Sequence, residues 1–142
     1  MRITDDRNAI DFAAVHGFLA TEAYWSRGVP AATLRKAIAN SLCFSAFDDA
    51  GKQVGFARVV TDRATFAYLC DVFVVASARG DGVGKALIAA VMAHPDLQGL
   101  RRFSLATADA HALYARHGFE PLADPSRFME VYRPGVYATA GD

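Results

Sequence analysis

Charge of one sign is what this chain lacks most plainly: fifteen Lys and Arg meet fifteen Asp and Glu. A dedicated nucleic-acid binder normally carries a basic excess, so none is expected here beyond a local patch. Cysteine is scarce too. Cys43 and Cys70 sit in apolar, strand-like runs. Their spacing fits no zinc pattern and two cysteines make no disulfide scaffold, so both read as buried, reduced thiols and no metal is expected. Long apolar runs are also missing. The longest helical one, 86–93, is far too short to span a bilayer. Residues 1–11 alternate acids and bases without an apolar stretch, which excludes a secretory signal and makes the cytoplasm the default location. Repeats, low-complexity segments and linkers are absent. What is there is a chain of 142 residues, 53% apolar and 21% charged, enough for one packed domain over 1–137 with a small polar tail at 138–142 expected to fray.

Periodicity orders the elements. Ile10, Phe12, Val15, Phe18 and Leu19 predict a helix over 8–23. Pro30 opens a second one, with Leu34 and Ile38 on its stripe. The joining loop, Tyr24-Trp25-Ser26-Arg27-Gly28-Val29, is aromatic and basic. Three strands follow, at 42–47, 53–61 and 66–75, separated by Asp- and Gly-containing turns, and they predict an antiparallel meander. A glycine-rich segment leads into a helix over 86–94 that Pro95 ends. A strand at 101–106 is expected parallel to the third, because a helix separates them. A short helix over 109–117 stops at Gly118, and strands at 119–122 and 128–133 are expected to finish the sheet. The class is mixed α/β.

The segment Arg79-Gly80-Asp81-Gly82-Val83-Gly84 follows a strand and opens a helix. Glycines allow tight turns and close ligand approach. The unbonded N–H groups and dipole of a helix start favour phosphate. The nucleotide-hydrolase loop fails here, because Arg79 stands where its first glycine belongs and Ala86 follows Lys85. The dinucleotide fingerprint fails as well, with Lys85 at its third glycine. Arg-x-x-Gly-x-Gly, formed by Arg79, Gly82 and Gly84, is the pattern that remains.

That pattern resembles the pyrophosphate loop of the GNAT superfamily, the acyl-CoA-dependent N-acyltransferases. The run Tyr68-Leu69-Cys70-Asp71-Val72-Phe73-Val74-Val75 is similar to the family's central strand. Leu113-Tyr114 and Gly118-Phe119, in the segment from Ala108 onwards, match its second cofactor segment. The resemblance implies a mostly antiparallel central sheet flanked by helices, with a splayed parallel pair of strands forming a cleft for acetyl-CoA. It implies that main-chain groups of Phe73, Val74 and Val75 pair with the pantetheine arm. The diphosphate would meet Arg79, Gly80, Asp81, Gly82, Val83 and Gly84, with Lys85 neutralising it and Asp109 in the second segment.

Acetyl transfer needs a deprotonated amine, an N–H beside the thioester oxygen and a proton for the departing thiolate. By the resemblance Tyr114 donates that proton and an amide near Val74 meets the oxygen. The base stays open between Asp71, His111, Cys70 and a water relay. The family often carries Glu where this chain has Cys70. Strand alternation predicts that only one of Cys70 and Asp71 faces the cleft. Tyr24, Trp25, Arg27 and Glu130 are the expected acceptor-side residues, for a small-molecule or peptide amine. A homodimer is compatible with the resemblance, and so is a catalytically inactive acyl-CoA sensor of the same fold.

Overall fold

The computed structural model describes residues 1–140. Its centre is a five-stranded sheet in the order β1-β2-β3-β4-β5. The strands are β1 (Arg2–Thr4), β2 (Leu42–Phe47), β3 (Gln53–Thr61), β4 (Phe66–Val74) and β5 (Arg102–Leu105). The first four are antiparallel, and β5 lies parallel to β4. The predicted meander is therefore β2-β3-β4. The parallel β5 follows from the helical crossover before it.

Helices α1 (Phe12–Thr21) and α2 (Ala31–Ala39) cover one face. Asp11 starts α1 by accepting the Ala14 N–H. Val15, Phe18 and Leu19 of α1, with Leu34 and Ile38 of α2, pack on Cys43, Phe56 and Phe73 of the sheet. The Phe18 and Phe73 rings stack with centroids 4.0 Å apart. Helices α3 (Val83–Ala93) and α4 (His111–Ala115) lie on the other face. There Val83, Leu87, Ile88 and Val91 meet Phe44, Ala57, Val59 and Leu69. Helix α3 approaches β3 directly over Gly55. A β-carbon on Gly55 would lie 2.9 Å from Leu87 Cδ1 and 3.0 Å from Val83 Cγ1. No helix among the described residues is long and apolar enough to cross a membrane.

Three features depart from the sequence expectation. Strand β1 is too short to carry a periodic signal, and it forms by pairing Arg2 with Phe47 and Thr4 with Ser45. Residues 119–122 and 128–133 are not strands; the sheet ends at β5. Among the described residues no ladder forms on them, although the outer edge of β5 is open. A final helix, α5 (Val136–Ala140), takes up the start of the expected tail, while 141–142 lie outside the described residues.

Candidate functional site

The glycine segment does what its sequence requires. After β4 a short 3-10 turn at Ala76–Ala78 leads to Gly80 at φ 89° and Gly82 at φ 81°. Both are left-handed positions that favour glycine. Gly82 is the N-cap of α3. The first main-chain bond of the helix runs from Ala86 N–H to Gly82 O. Among the described residues, the amides of 80–85 therefore find no acceptor within the chain. They border a cavity of about 460 Å³ lined by Val74, Arg79, Gly80, Gly82, Val83, Gly84 and Lys85, with Ala78. Six unpaired donors at the positive end of an eleven-residue helix suit a diphosphate. Arg79 turns back to donate from Nε to the Val74 carbonyl, at 3.0 Å, tying the loop to β4. Asp81 and Asp109 are exposed and border neither this cavity nor the one on the opposite face.

The strands above the loop part company before β4 ends. β5 pairs with β4 from Phe66↔Arg102 to Leu69↔Leu105 and then ends, while β4 runs on to Val74. The Val75 N–H bonds to Val54 O, and Phe73 pairs with Phe56. By the alternation of an antiparallel ladder, Val74 between them turns its N–H and C=O the other way, towards the opening. Of Phe73, Val74 and Val75, Val74 alone thus turns its main-chain groups away from β3, and its carbonyl accepts from Arg79 Nε.

Asp71 breaks the strand rhythm. Its φ is 54°, and Ala57 on β3 opposes both Asp71 and Val72, because Arg58 pairs with Cys70 and Phe56 with Phe73. This is a β-bulge. It corrects the expectation that only one of Cys70 and Asp71 faces the site. Simple alternation fails at a bulge, and both residues line a second cavity of about 360 Å³ beneath α1 and α2.

In that cavity Asp71 accepts at both oxygens. Trp25 Nε1 donates to Oδ1 at 2.9 Å, and Arg58 Nε donates to Oδ2 at 2.8 Å. Arg58 also donates from Nη1 to Ser41 Oγ, which in turn donates to Ala37 O. Arg58 is the residue that sequence reading missed. Lying opposite Cys70 on a neighbouring strand, it could be found only from the register. Burial pushes the Cys70 thiol up to about 12, against the opposing pull of Arg58, so it stays neutral. Tyr68 beside it is raised by burial, then by Cys70, Asp71 and Glu130. Trp25 and Tyr137 line this cavity; Arg27 and Glu130 do not, and both are exposed.

Tyr114 is buried on α4, on the opposite face of the sheet. Burial, then the charges of Asp109 and Tyr24, raise its phenol, so it is protonated at neutral pH. Its hydroxyl has no partner among the described residues. His111 on the same helix is exposed. Tyr24 reaches across from the α1–α2 loop, and its hydroxyl accepts the Ala108 N–H at 3.2 Å. The opening between β4 and β5 is thus bridged by the loop that carries Trp25. No cluster of three metal-ligating side chains forms among the described residues.

Comparison with known proteins points the same way. Residues 39–121 match the family model described as an acetyltransferase (GNAT) domain. A candidate acetyltransferase of Gibberella zeae is 27% identical over 136 residues, covering 81% of this chain and 76% of its own. The crystal structure of a candidate GNAT-family acetyltransferase from Xanthomonas campestris pv. campestris superposes with a TM-score of 0.94 at 54% identity, over 96% of each chain. Rv2747 of Mycobacterium tuberculosis, solved with CoA and NLQ, shares the fold at a TM-score of 0.67 and 23% identity, over 88% of this chain and 75% of its own.

Proposed function

The chain belongs to the GNAT acetyltransferase family, and on that premise we propose that it moves an acetyl group from acetyl-CoA to an amine that attacks directly in a ternary complex. The observation that carries this reading is the run of unpaired amides at 80–85, facing a cavity that reaches Val74 on the part of β4 that β5 no longer pairs. A donor with a diphosphate and an extended arm fits that cradle. Acetyl-CoA, when bound, supplies the activated acyl carbon and a thiolate leaving group.

The chain's own groups provide the rest. The amides of the loop and the α3 dipole hold the diphosphate, with exposed Lys85 at the rim adding charge. The Val74 N–H, turned into the opening, is the donor for charge that develops on the acyl oxygen. Tyr114, kept protonated by burial, gives its proton to the departing sulfur. Asp71 has both oxygens engaged, so in this reading it positions Arg58 and Trp25 and water removes the proton of the amine. The acceptor enters beside Trp25, Tyr68 and Cys70 beneath α1 and α2.

A thiol-release screen with acetyl-CoA across amines tests the proposal, repeated with Tyr114→Phe. The expected outcome is unchanged CoA binding and turnover lower by roughly 10²–10⁴, the usual contribution of a positioned acid. Unchanged turnover removes Tyr114 from the mechanism. Binding without turnover on any amine favours the inactive sensor, and absence of CoA affinity sinks the reading.

A further inference from the structure

Only two charged side chains line the cavity beneath α1 and α2, Arg58 and Asp71, and they are bonded to each other at 2.8 Å. Leu19, Val29 and Leu34 close it from the helical side, and Trp25, Tyr68 and Tyr137 add rings. Its polar groups are largely engaged within the protein. Ser26 Oγ donates to Leu19 O, Trp25 Nε1 to Asp71, and Arg58 Nη1 to Ser41 Oγ. The cavity is therefore neutral in sum, apolar over most of its wall and poor in free polar groups.

This cavity continues onto an open strip of sheet. Phe66, Tyr68 and Cys70 alternate onto one face of β4, and Val60 of β3 stands opposite Tyr68. Phe66 is 41% exposed, Tyr68 37% and Val60 42%, so the strip is both apolar and accessible. From Cys70 to Phe66 it spans about 13 Å at the rise of a strand. Charges outside the cavity come in both signs: Arg102 stands opposite Phe66, and Glu130 acts on Tyr68. Val74 lies further along β4 than the bulge at Asp71. A nitrogen on its way to an acyl carbon beside Val74 passes that bulge, and the rest of the acceptor extends back over Cys70, Tyr68 and Phe66.

We propose that the acceptor is a primary amine on an otherwise uncharged apolar or aromatic body, with its nitrogen at the Asp71 bulge and its body along Tyr68, Val60 and Phe66. This deepens the acetyl-transfer reading and rests on it. A second charge on the acceptor, of either sign, would meet an apolar wall whose one ion pair is already closed, and an unpaired charge there is costly. The same wall favours the amine without its extra proton, the form that attacks, because burial disfavours the ammonium. An aromatic body gains further contact from the rings of Trp25 and Tyr68. In the step, the nitrogen bonds to the acyl carbon as the carbon–sulfur bond breaks, the amine's proton goes to water, and Tyr114 protonates the sulfur.

Phenethylamine, phenylalanine and spermidine compared as acceptors in the thiol-release assay test it, each also titrated against the emission of Trp25, the one tryptophan in the chain. Phenethylamine should exceed both others in kcat/KM by at least about tenfold, and it alone should perturb the emission. Val60→Glu puts a carboxylate beside the acceptor's body at an exposed position, so the ratio of spermidine to phenethylamine turnover should rise about two- to fivefold. Equal or better turnover of phenylalanine or spermidine overturns the proposal, and so does an unchanged ratio in Val60→Glu. If CoA binds and no amine is turned over, acetyl transfer fails, while an emission change with phenethylamine alone upholds the ligand class. In that case an emission change with none of the three, or with phenylalanine or spermidine, overturns the ligand class as well.

Discussion

Position 71 should prefer glycine to alanine, against the usual order in a strand. At φ 54° a β-carbon is crowded, which costs about 1–2 kcal/mol for most residues. Asp71→Gly and Asp71→Ala both lose the bonds from Arg58 and Trp25, of which the charged one is worth roughly 1.5–3 kcal/mol, and that common loss cancels between them. Alanine then bears the left-handed strain, while glycine gives up roughly 0.5–1 kcal/mol of chain entropy. The net preference is about 0.5–1 kcal/mol for glycine. With a urea slope of roughly 1–3 kcal/mol/M, the two midpoints should differ by about 0.2–1 M. Asp71→Asn should exceed both, because asparagine tolerates this φ and still accepts from Trp25. Val60 on β3 has no positive φ and serves as the control; there the alanine variant should lead the glycine variant. Urea unfolding followed by Trp25 fluorescence reads all five. If Asp71→Ala unfolds at the same urea concentration as Asp71→Gly, or higher, the bulge argument is wrong, and with it the placing of Cys70 and Asp71 on one face.

Two further outcomes follow from the same geometry. Gly82→Ala places a β-carbon at φ 81° in the N-cap of the phosphate loop, so CoA affinity should fall about tenfold, equivalent to about 1.4 kcal/mol, in a titration calorimetry comparison with the wild type. Alkaline pH should also weaken the fold. Burial lifts the thiols of Cys43 and Cys70 to about 11 and about 12, above the ordinary value near 9. The folded chain therefore holds protons that the unfolded chain releases, so this stability is intact below about pH 9 and drains away as pH rises towards 11 and 12. Urea midpoints measured from pH 8 to 10.5 should decline, and the decline should flatten in Cys43→Ala and Cys70→Ala.

Much of the site was legible because its signals are local. Gly80, Gly82 and Gly84 stand a fixed distance from one another and from a strand, and a loop of that kind has few alternatives. Tyr114 could be picked out because it travels with Leu113 and Gly118-Phe119. Arg58 could not, since its meeting with Asp71 depends on strand register and on an extra residue that shifts that register. Asp71 misled for the same reason. Alternation is a rule about unbroken strands, and composition does not announce a bulge. Glu130 and Arg27 were assigned to the acceptor side by resemblance, but the cavity is lined instead by Tyr68 and Tyr137 together with Trp25. Pattern reading took 128–133 for a strand from its apolar and aromatic residues, and there it was wrong, because side-chain type does not supply a ladder partner.

Gly55 gives the proposed coenzyme cradle a remote foundation. The start of α3, where the loop amides gather, rests against bare backbone on a strand that no diphosphate would touch. The missing methyl sets how low the helix sits, and hence the height at which those N–H groups point. The aim of the proposed anion site thus leans on the far side of the helix, on an atom that is not there.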